Sequence, residues 1–317
     1  MIRYPVQTAL TAALLLALPA LLADYVLFRV TDALVYAIAI LGLNFLTGTT
    51  GLFSIGQSAF CAVGAYVVAI GMTSYGLSPY LVLPLSAVAG FCFGFVTGWP
   101  ALRLSTVHLA LATWGLALAV PQLLKSDLLA PLTNGVQGIY IRRPGPPFGL
   151  PLSDDQWWYL VTLALLALTA FLIGNMMESR TGRALRAVRD HPDGASAMGI
   201  NISLYRASAF GVAGAAAALA GGIDGLLADF IAADNYTLFL SIALLIGAVA
   251  GGVDTVRGAF VGGALAAYLP DISGLVSKTL SFPAHGLVLI ALVFLMPKGI
   301  VPSLDLGLAR LARMFGR

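Results

Sequence analysis

Long apolar runs, bounded by charged residues, proline or glycine, divide most of the chain into segments of membrane-spanning length. A helix that crosses a bilayer needs about 20 mostly apolar residues, whereas a transmembrane barrel shows short segments that alternate apolar and polar positions. The runs here are continuous and therefore predict helices, some of which are short and rich in glycine. The ten predicted spans are residues 6–23, 32–47, 59–73, 80–98, 106–124, 157–176, 207–227, 238–250, 258–269 and 285–297.

Composition agrees with a membrane protein and excludes a soluble one. Of the 317 residues, 59% are hydrophobic and 10% are charged, whereas a soluble domain carries about a quarter charged residues. Ten spans use about 200 residues, which leaves loops but no further domain. We therefore predict one all-α, polytopic transmembrane domain over residues 1–317, with about ten transmembrane helices, or eight if two weak spans are re-entrant. The run at 6–23 partly resembles a secretory signal, and we interpret it as the first span.

The distribution of basic residues predicts the orientation of the chain. The loop at 178–206 is the densest basic segment, and the positive-inside rule assigns it to the cytoplasm. Counting spans from this loop places both termini in the cytoplasm and the loops at 125–156 and 228–237 outside. Arg142 and Arg143 in the first of these outer loops are the main exception.

Motifs for catalysis and for nucleotide binding are absent from the sequence. It contains no G-x-x-x-x-G-K-[ST] phosphate loop, and its three histidines and two cysteines have no metal-ligand spacing. We therefore predict no enzyme activity, no catalytic residue, and no cofactor or metal held by this chain. Nearly all charged residues lie in loops or at span ends, whereas proton-driven transporters need intramembrane relays. The energy for uphill transport is thus expected to come from another subunit.

The segment at 180–201 predicts two short helices between spans. The first is expected to begin after Thr181-Gly182 and to carry Arg183, Arg186 and Arg189 on one side. The second is expected to run from Pro192 to a stop at Gly199. Such a pair favours a docking surface for a cytoplasmic partner, although the arginines could instead anchor the loop at lipid headgroups.

The segment at 42–66 is uncharged yet polar and rich in glycine. Non-helical backbone at membrane depth occurs where protein buries it or where it lines a water-filled cavity. A weaker echo at 247–268 shares the glycine-rich flanks, and paired broken segments are typical of a transporter core. Packing is the alternative interpretation of these polar side chains. The residues predicted to lie near a translocation path are Asn44, Thr50, Ser54, Gln57 and Thr113.

Five strings occur in the order and spacing typical of one family: GLNFLTGTTGLFSIGQSAFCAVGAY, PALRLSTVHLALATWG, LTNGVQGI, GRALRAVRDHPDGASAMGIN and LMPKGIVP. From about residue 32 to 302 the chain resembles the branched-chain amino acid permease family of bacterial ATP-binding-cassette (ABC) importers, in particular its LivM-like half. The resemblance implies an ABC importer permease fold in the bacterial inner membrane. It also implies four partners besides membrane lipid: a second homologous permease, two cytoplasmic subunits that bind ATP and Mg, and a periplasmic substrate-binding protein. It implies no nucleic acid.

The resemblance also implies an ATPase-coupling segment within the 178–206 loop. Carried onto this sequence, its residues are Arg180, Gly182, Arg183, Ala184, Arg186, Arg189, Asp190, Ala195, Ala197 and Gly199. The implied substrate is a branched-chain amino acid or a related small solute. Urea, short amides and aromatic acids stay open, since Gln57 stands where the family often has histidine. A stand-alone passive channel or secondary transporter is the alternative function.

Overall fold

The computed structural model describes residues 15, 17–19, 21–101, 106–147, 150–253, 255–276 and 299–303. Over these residues the chain is almost entirely helical, with one short antiparallel pair of strands. The helices and strands are α1 (Asp24–Thr50), α2 (Gln57–Thr73), α3 (Pro79–Ala101), α4 (Thr106–Lys125), α5 (Ala130–Thr133), β1 (Ile139–Tyr140), α6 (Asp154–Glu178), α7 (Arg180–Asp190), α8 (Pro192–Ala197), α9 (Ile202–Ala228), β2 (Phe230–Ile231), α10 (Leu238–Gly251) and α11 (Val256–Val276).

The all-α, polytopic prediction is confirmed. Eight of the ten predicted spans lie within α1, α2, α3, α4, α6, α9, α10 and α11, whereas 6–23 lies largely, and 285–297 entirely, outside the described residues. In the part that the structure describes, five helical segments are long and apolar enough to cross a membrane. The number rises to six if α4 and the segment at 130–137, bent by 82°, form one span. The total of ten or eight spans stays a prediction.

Helix α9 forms the centre of the molecule and packs against α1, α2 and α3. Its buried face consists mostly of alanine and glycine, and small residues let helix backbones approach closely where lipid gives no hydrophobic drive for packing. A Cβ atom at Gly64 of α2 would overlap the carbonyl oxygen of Ala218, and one at Gly221 of α9 would overlap that of Cys61. The glycines at these contacts therefore set the distance between α2 and α9.

The two loops predicted to lie outside contact each other. Strands β1 and β2 pair antiparallel, with Ile139 opposite Ile231. The guanidinium of Arg143 forms ion pairs with Asp155 at 2.8 Å and with Asp229 at 3.8 Å. Both loops therefore lie on the same side of the membrane, as predicted. The basic charge of Arg143, an exception to the positive-inside rule, is balanced by these two carboxylates.

The backbone breaks between α1 and α2, as the polar, glycine-rich segment predicts. Helix α1 ends where Gly51 adopts a φ of 70°, a left-handed conformation that glycine accepts without strain. The Nε2 atom of Gln57 donates to the carbonyl of Ala39 at 3.2 Å, which lies eleven residues, or about 16 Å, before the end of α1. Residues 51–56 therefore run back along α1, and α2 begins at membrane depth.

A second break separates α10 from α11. Gly252 has a φ of 116°, and the hydroxyl of Thr255 accepts a hydrogen bond from the N–H of Gly258 at 3.0 Å at the start of α11. Close glycine contacts join the two helices, since a Cβ at Gly251 would overlap the carbonyl oxygen of Gly258. The second glycine-rich segment is therefore also a break between two helices.

Candidate functional site: the coupling helices and the polar core

The two short helices of the 178–206 loop are present, but the first begins earlier than predicted. Helix α7 begins at Arg180 rather than after Gly182. The reason is the Ser179 side chain, which accepts hydrogen bonds from the N–H groups of Thr181 and Gly182 at 3.2 and 3.4 Å. A serine that caps in this way satisfies N–H groups that a helix start leaves free. The first turn is therefore helical despite its glycine.

The coupling residues divide between an inner and an outer face of α7 and α8. Gly182, Leu185 and Val188 form the buried face of α7, and Ala195 is the buried residue of α8. Helix α8 begins with Pro192 and ends at Ala197. Gly199, two residues later, has a φ of 82°, which agrees with its predicted role in ending the helix. The coupling residues that are wholly or partly exposed are Arg180, Arg183, Ala184, Arg186, Arg189, Asp190, Ala197 and Gly199.

Arg189 connects α7 to the end of α1. Its Nη1 atom donates to the carbonyl of Gly48 at 2.5 Å, and its Nε atom donates to Asp190 at 2.9 Å. Its aliphatic stem packs against Gly51, where a Cβ would lie only 2.9 Å from Cγ of the arginine. The carbonyl groups at a helix C-terminus carry partial negative charge and attract a cation. Arg189 thus links the coupling loop to the helix that precedes the first break.

The neighbouring carboxylate completes this contact. The hydrogen bond from Arg189 holds the pKa of the Asp190 carboxyl below its usual range, and the charges of Arg189, His191 and Arg186 act in the same direction. Asp190 therefore stays ionised near neutral pH, and it fixes the guanidinium that also contacts Gly48.

The five predicted pathway residues are all buried in this structure. Asn44 bridges α1 and the second break, since its Nδ2 atom donates to the carbonyls of Gly252 and Thr255 at 3.3 and 3.2 Å. The hydroxyl of Thr50 donates to Leu46 within its own helix at 2.6 Å. These contacts hold backbone in place, and the assignment of either residue to a pathway stays a prediction.

The other three predicted residues lie at the turn that leads into α2. The hydroxyl of Thr113, on α4, accepts a hydrogen bond from the N–H of Ile55 at 3.0 Å, and Ser54 accepts from the N–H of Gly56 at 3.3 Å. Gln57 is fully buried, and among the described residues its Oε1 atom has no hydrogen-bond partner. The structure thus places Ser54, Gln57 and Thr113 at the first break.

A hydroxyl pair joins the start of α2 to α10 beside Gln57. The hydroxyl of Ser241 accepts from the N–H of Ser58 at 2.8 Å and donates to its hydroxyl at 2.7 Å. Both side chains are fully buried. Together with Gln57 they form a polar layer at the depth where α2 begins.

Two carboxylates that lie at the ends of predicted spans, Asp32 and Asp224, belong to helices α1 and α9 in the structure. Asp32 was expected to begin a span, but α1 begins eight residues earlier, at Asp24. Asp224 lies near the end of its predicted span, and the chain folds back so that Tyr236 covers it and donates a hydrogen bond at 3.0 Å. Both carboxylates are therefore inside the helical region.

Asp224 also lines a small cavity between α1, α2, α9 and α10. The other side chains around it include Tyr36, Ala39, Cys61, Tyr236 and Leu240. Sequence reasoning missed this group, although an aspartate inside the apolar run at 207–227 was a visible signal. Sequence periodicity alone does not show that residues 230–240 return over it.

The fold and these polar layers define a class: a polytopic helical membrane protein with two broken segments and a basic two-helix loop between spans. The chain belongs to the branched-chain amino acid transport system / permease component family, whose model matches residues 25–297. The expected resemblance is thereby confirmed. No solved structure matches the chain.

Curated relatives agree with this family. The high-affinity branched-chain amino acid transport system permease protein LivM of Salmonella typhimurium is 30% identical over 247 residues, which are 70% of this chain and 57% of the relative. LivM of Escherichia coli is 28% identical over 303 residues, 86% of this chain and 69% of the relative. The permease LivH of Escherichia coli is 26% identical over 292 residues, 86% of this chain and 92% of the relative. The chain is thus similar to both LivM and LivH permeases, and it spans 57% of the length of the first of these relatives.

Proposed function

We propose that the chain is the transmembrane permease subunit of a bacterial ABC importer for branched-chain amino acids. It would form half of the translocation pathway in the inner membrane, with both termini in the cytoplasm. A second homologous permease would form the other half, two cytoplasmic subunits would bind ATP and Mg, and a periplasmic protein would deliver the substrate. The observation that carries this proposal is the family match over residues 25–297.

The geometry of the coupling helices supports the same proposal. Arg180 and Arg183 are exposed on α7, and Arg189 connects that helix to α1. Motion imposed on α7 by an ATPase therefore has a direct route to α1 and to the break that follows it. Energy from ATP drives transport only if the two states of the subunit differ in their affinity for substrate or partner.

Co-purification from native membranes tests the proposal. The wild-type chain is expected to bring down two ATPase subunits and a second permease, whereas Arg183→Glu/Arg186→Glu is expected to lose the ATPases and keep the permease. A matched control is Arg142→Glu, a basic residue of the opposite loop, which should retain all partners. If the wild-type chain co-purified with no ATPase subunit, the importer proposal would be refuted and a stand-alone channel or secondary transporter would be favoured.

A further inference from the structure

We propose that the cavity beside Asp224 is a subsite for the ammonium group of a zwitterionic amino acid, with the Asp224 carboxylate as its counter-charge. The proposal rests on the function proposed above, because it places one part of that substrate on the translocation path. Its lining residues come from four helices or their flanking turns, with Asp224 on α9 and Tyr36 on α1.

The first argument is the position of a carboxylate inside a membrane protein. Ionisable side chains at this depth are costly, and they face a protein interior or a water-filled path. Tyr236 donates to Oδ2 of Asp224 at 3.0 Å. A carboxylate accepts about four hydrogen bonds, so Asp224 retains capacity for a further donor.

The second argument is a polar stripe that leads to the cavity from the outer end of α1. Tyr25, Arg29, Asp32 and Tyr36 recur at helical spacing and thus share one face, and all four are partly or fully exposed. Arg29 and Asp32 form an ion pair at 3.7 Å. A partly exposed charged stripe in this part of the helix is expected to face water rather than lipid. It forms an approach from the side of the substrate-binding protein.

The third argument lies at the inner end of the cavity and is independent of the carboxylates. Ala39 lines the cavity, and its carbonyl accepts the hydrogen bond from Gln57. Gln57 and Cys61 lie one turn apart on the same face of α2, and Cys61 also lines the cavity. The buried Oε1 atom of Gln57 has no partner among the described residues. An unsatisfied buried acceptor is costly, and a ligand that donates hydrogen bonds would satisfy it.

Charge and size point to an ammonium group rather than to a metal ion. When both carboxyls are ionised, Arg29, Asp32 and Asp224 together carry one net negative charge, which matches a single positive charge. Hard inorganic cations need about six or more oxygen ligands, whereas much of this lining is apolar, with Val35, Leu240 and Leu244. In this conformation the cavity has room for about one water-sized group, so the remainder of an amino acid enters only when the helices separate.

Chemical modification of Cys61 tests the subsite directly. The chain has two cysteines, and Cys92→Ser leaves Cys61 as the one thiol of this chain, where its modification is measured. The importer is reconstituted with its partner subunits, with and without ATP, and treated with two methanethiosulfonates of similar size, one with an ammonium group and one neutral. The ammonium reagent is expected to modify Cys61 about tenfold faster or more, the factor that a charge-assisted hydrogen bond supplies. Asp224→Asn should abolish this preference, and Asp224→Glu should retain most of it.

Protection experiments in the same Cys92→Ser background need no change at Asp224. Leucine is expected to slow the modification of Cys61, whereas 4-methylpentanoate, which has the same carbon skeleton without the amino group, should not. Equal protection by both compounds, equal rates for both reagents, or no modification of Cys61 in any state would overturn the subsite. Loss of ATP-driven uptake in wild type would instead refute the proposed function, and the reagent preference does not depend on uptake.

Discussion

The contact between Arg189 and the end of α1 makes a specific prediction about energy coupling. Replacement of this arginine by alanine removes the hydrogen bond to Gly48 at 2.5 Å and the stem that packs against Gly51. The two helices then keep their packing contacts but lose this hydrogen bond. We therefore expect Arg189→Ala to bind the ATPases normally and to transport poorly.

The free energy lost in Arg189→Ala can be derived from the type of hydrogen bond and from the exposure of the side chain. A hydrogen bond with one charged partner contributes about 1.5–3 kcal/mol. The Arg189 side chain is 34% exposed, so water competes for the guanidinium, and we expect a loss of about 1–2 kcal/mol. A change of that size alters the equilibrium of the docked contact by a factor of about 5–30. The amount of substrate moved per ATP hydrolysed should fall several-fold.

Reconstituted vesicles allow both quantities to be measured together. Uptake of labelled leucine and release of phosphate give the coupling ratio, and co-purification gives ATPase recruitment. Arg183→Ala is the matched control, because the described hydrogen bond of Arg183, to the carbonyl of Glu178 at 3.0 Å, reaches the end of the preceding helix α6 and not α1. It should change recruitment and leave the ratio unaltered. An unchanged coupling ratio in Arg189→Ala, or a decrease no larger than its loss of recruitment, would refute this reasoning.

Three further predictions concern helix packing and the two loops that Arg143 joins. Gly64→Ala should lower the melting temperature and the yield of folded protein, since a Cβ there overlaps the Ala218 carbonyl. The control Gly115→Ala, where a Cβ would meet open space, should change neither quantity. Equal melting temperatures for the two variants would contradict the packing argument. Asn44→Leu should lower the free energy of unfolding by about 1–3 kcal/mol in a denaturant titration, since the carbonyls of Gly252 and Thr255 lose their donor. An unchanged midpoint would show that these two hydrogen bonds do not stabilise the protein. Arg143→Ala should increase protease cleavage of the loops at 125–156 and 228–237, and cleavage equal to wild type would contradict its role in joining them.

The helices could be predicted because apolar runs of spanning length have few alternatives in a bilayer. The bounds could not be predicted as well. Helix α1 begins at Asp24 rather than near residue 32, because polar residues at the start of a span look like loop when the sequence is read alone. In the same way, α7 begins at Arg180 because a single serine hydroxyl caps it, and hydropathy does not report such a bond.

The site was only partly within reach of the sequence. The polar, glycine-rich segment at 42–66 correctly indicated a break in the helix, and the arginines of α7 indicated a loop with a specific role. The contacts of Arg189 with Gly48 and of Tyr236 with Asp224 join residues that are 141 and 12 positions apart. Both depend on how helices and returning loops pack, which no local pattern encodes.

The most direct test of the proposed importer is ATP-driven uptake by purified components. The chain, its companion permease and the two ATPases would be reconstituted in vesicles, with the binding protein and labelled leucine on the opposite side from ATP. We predict accumulation of leucine against its gradient that requires hydrolysable ATP and is lost in Arg183→Glu/Arg186→Glu. Uptake that is equal with and without ATP, and equal in that variant, would contradict the proposal and identify the chain as a passive pathway.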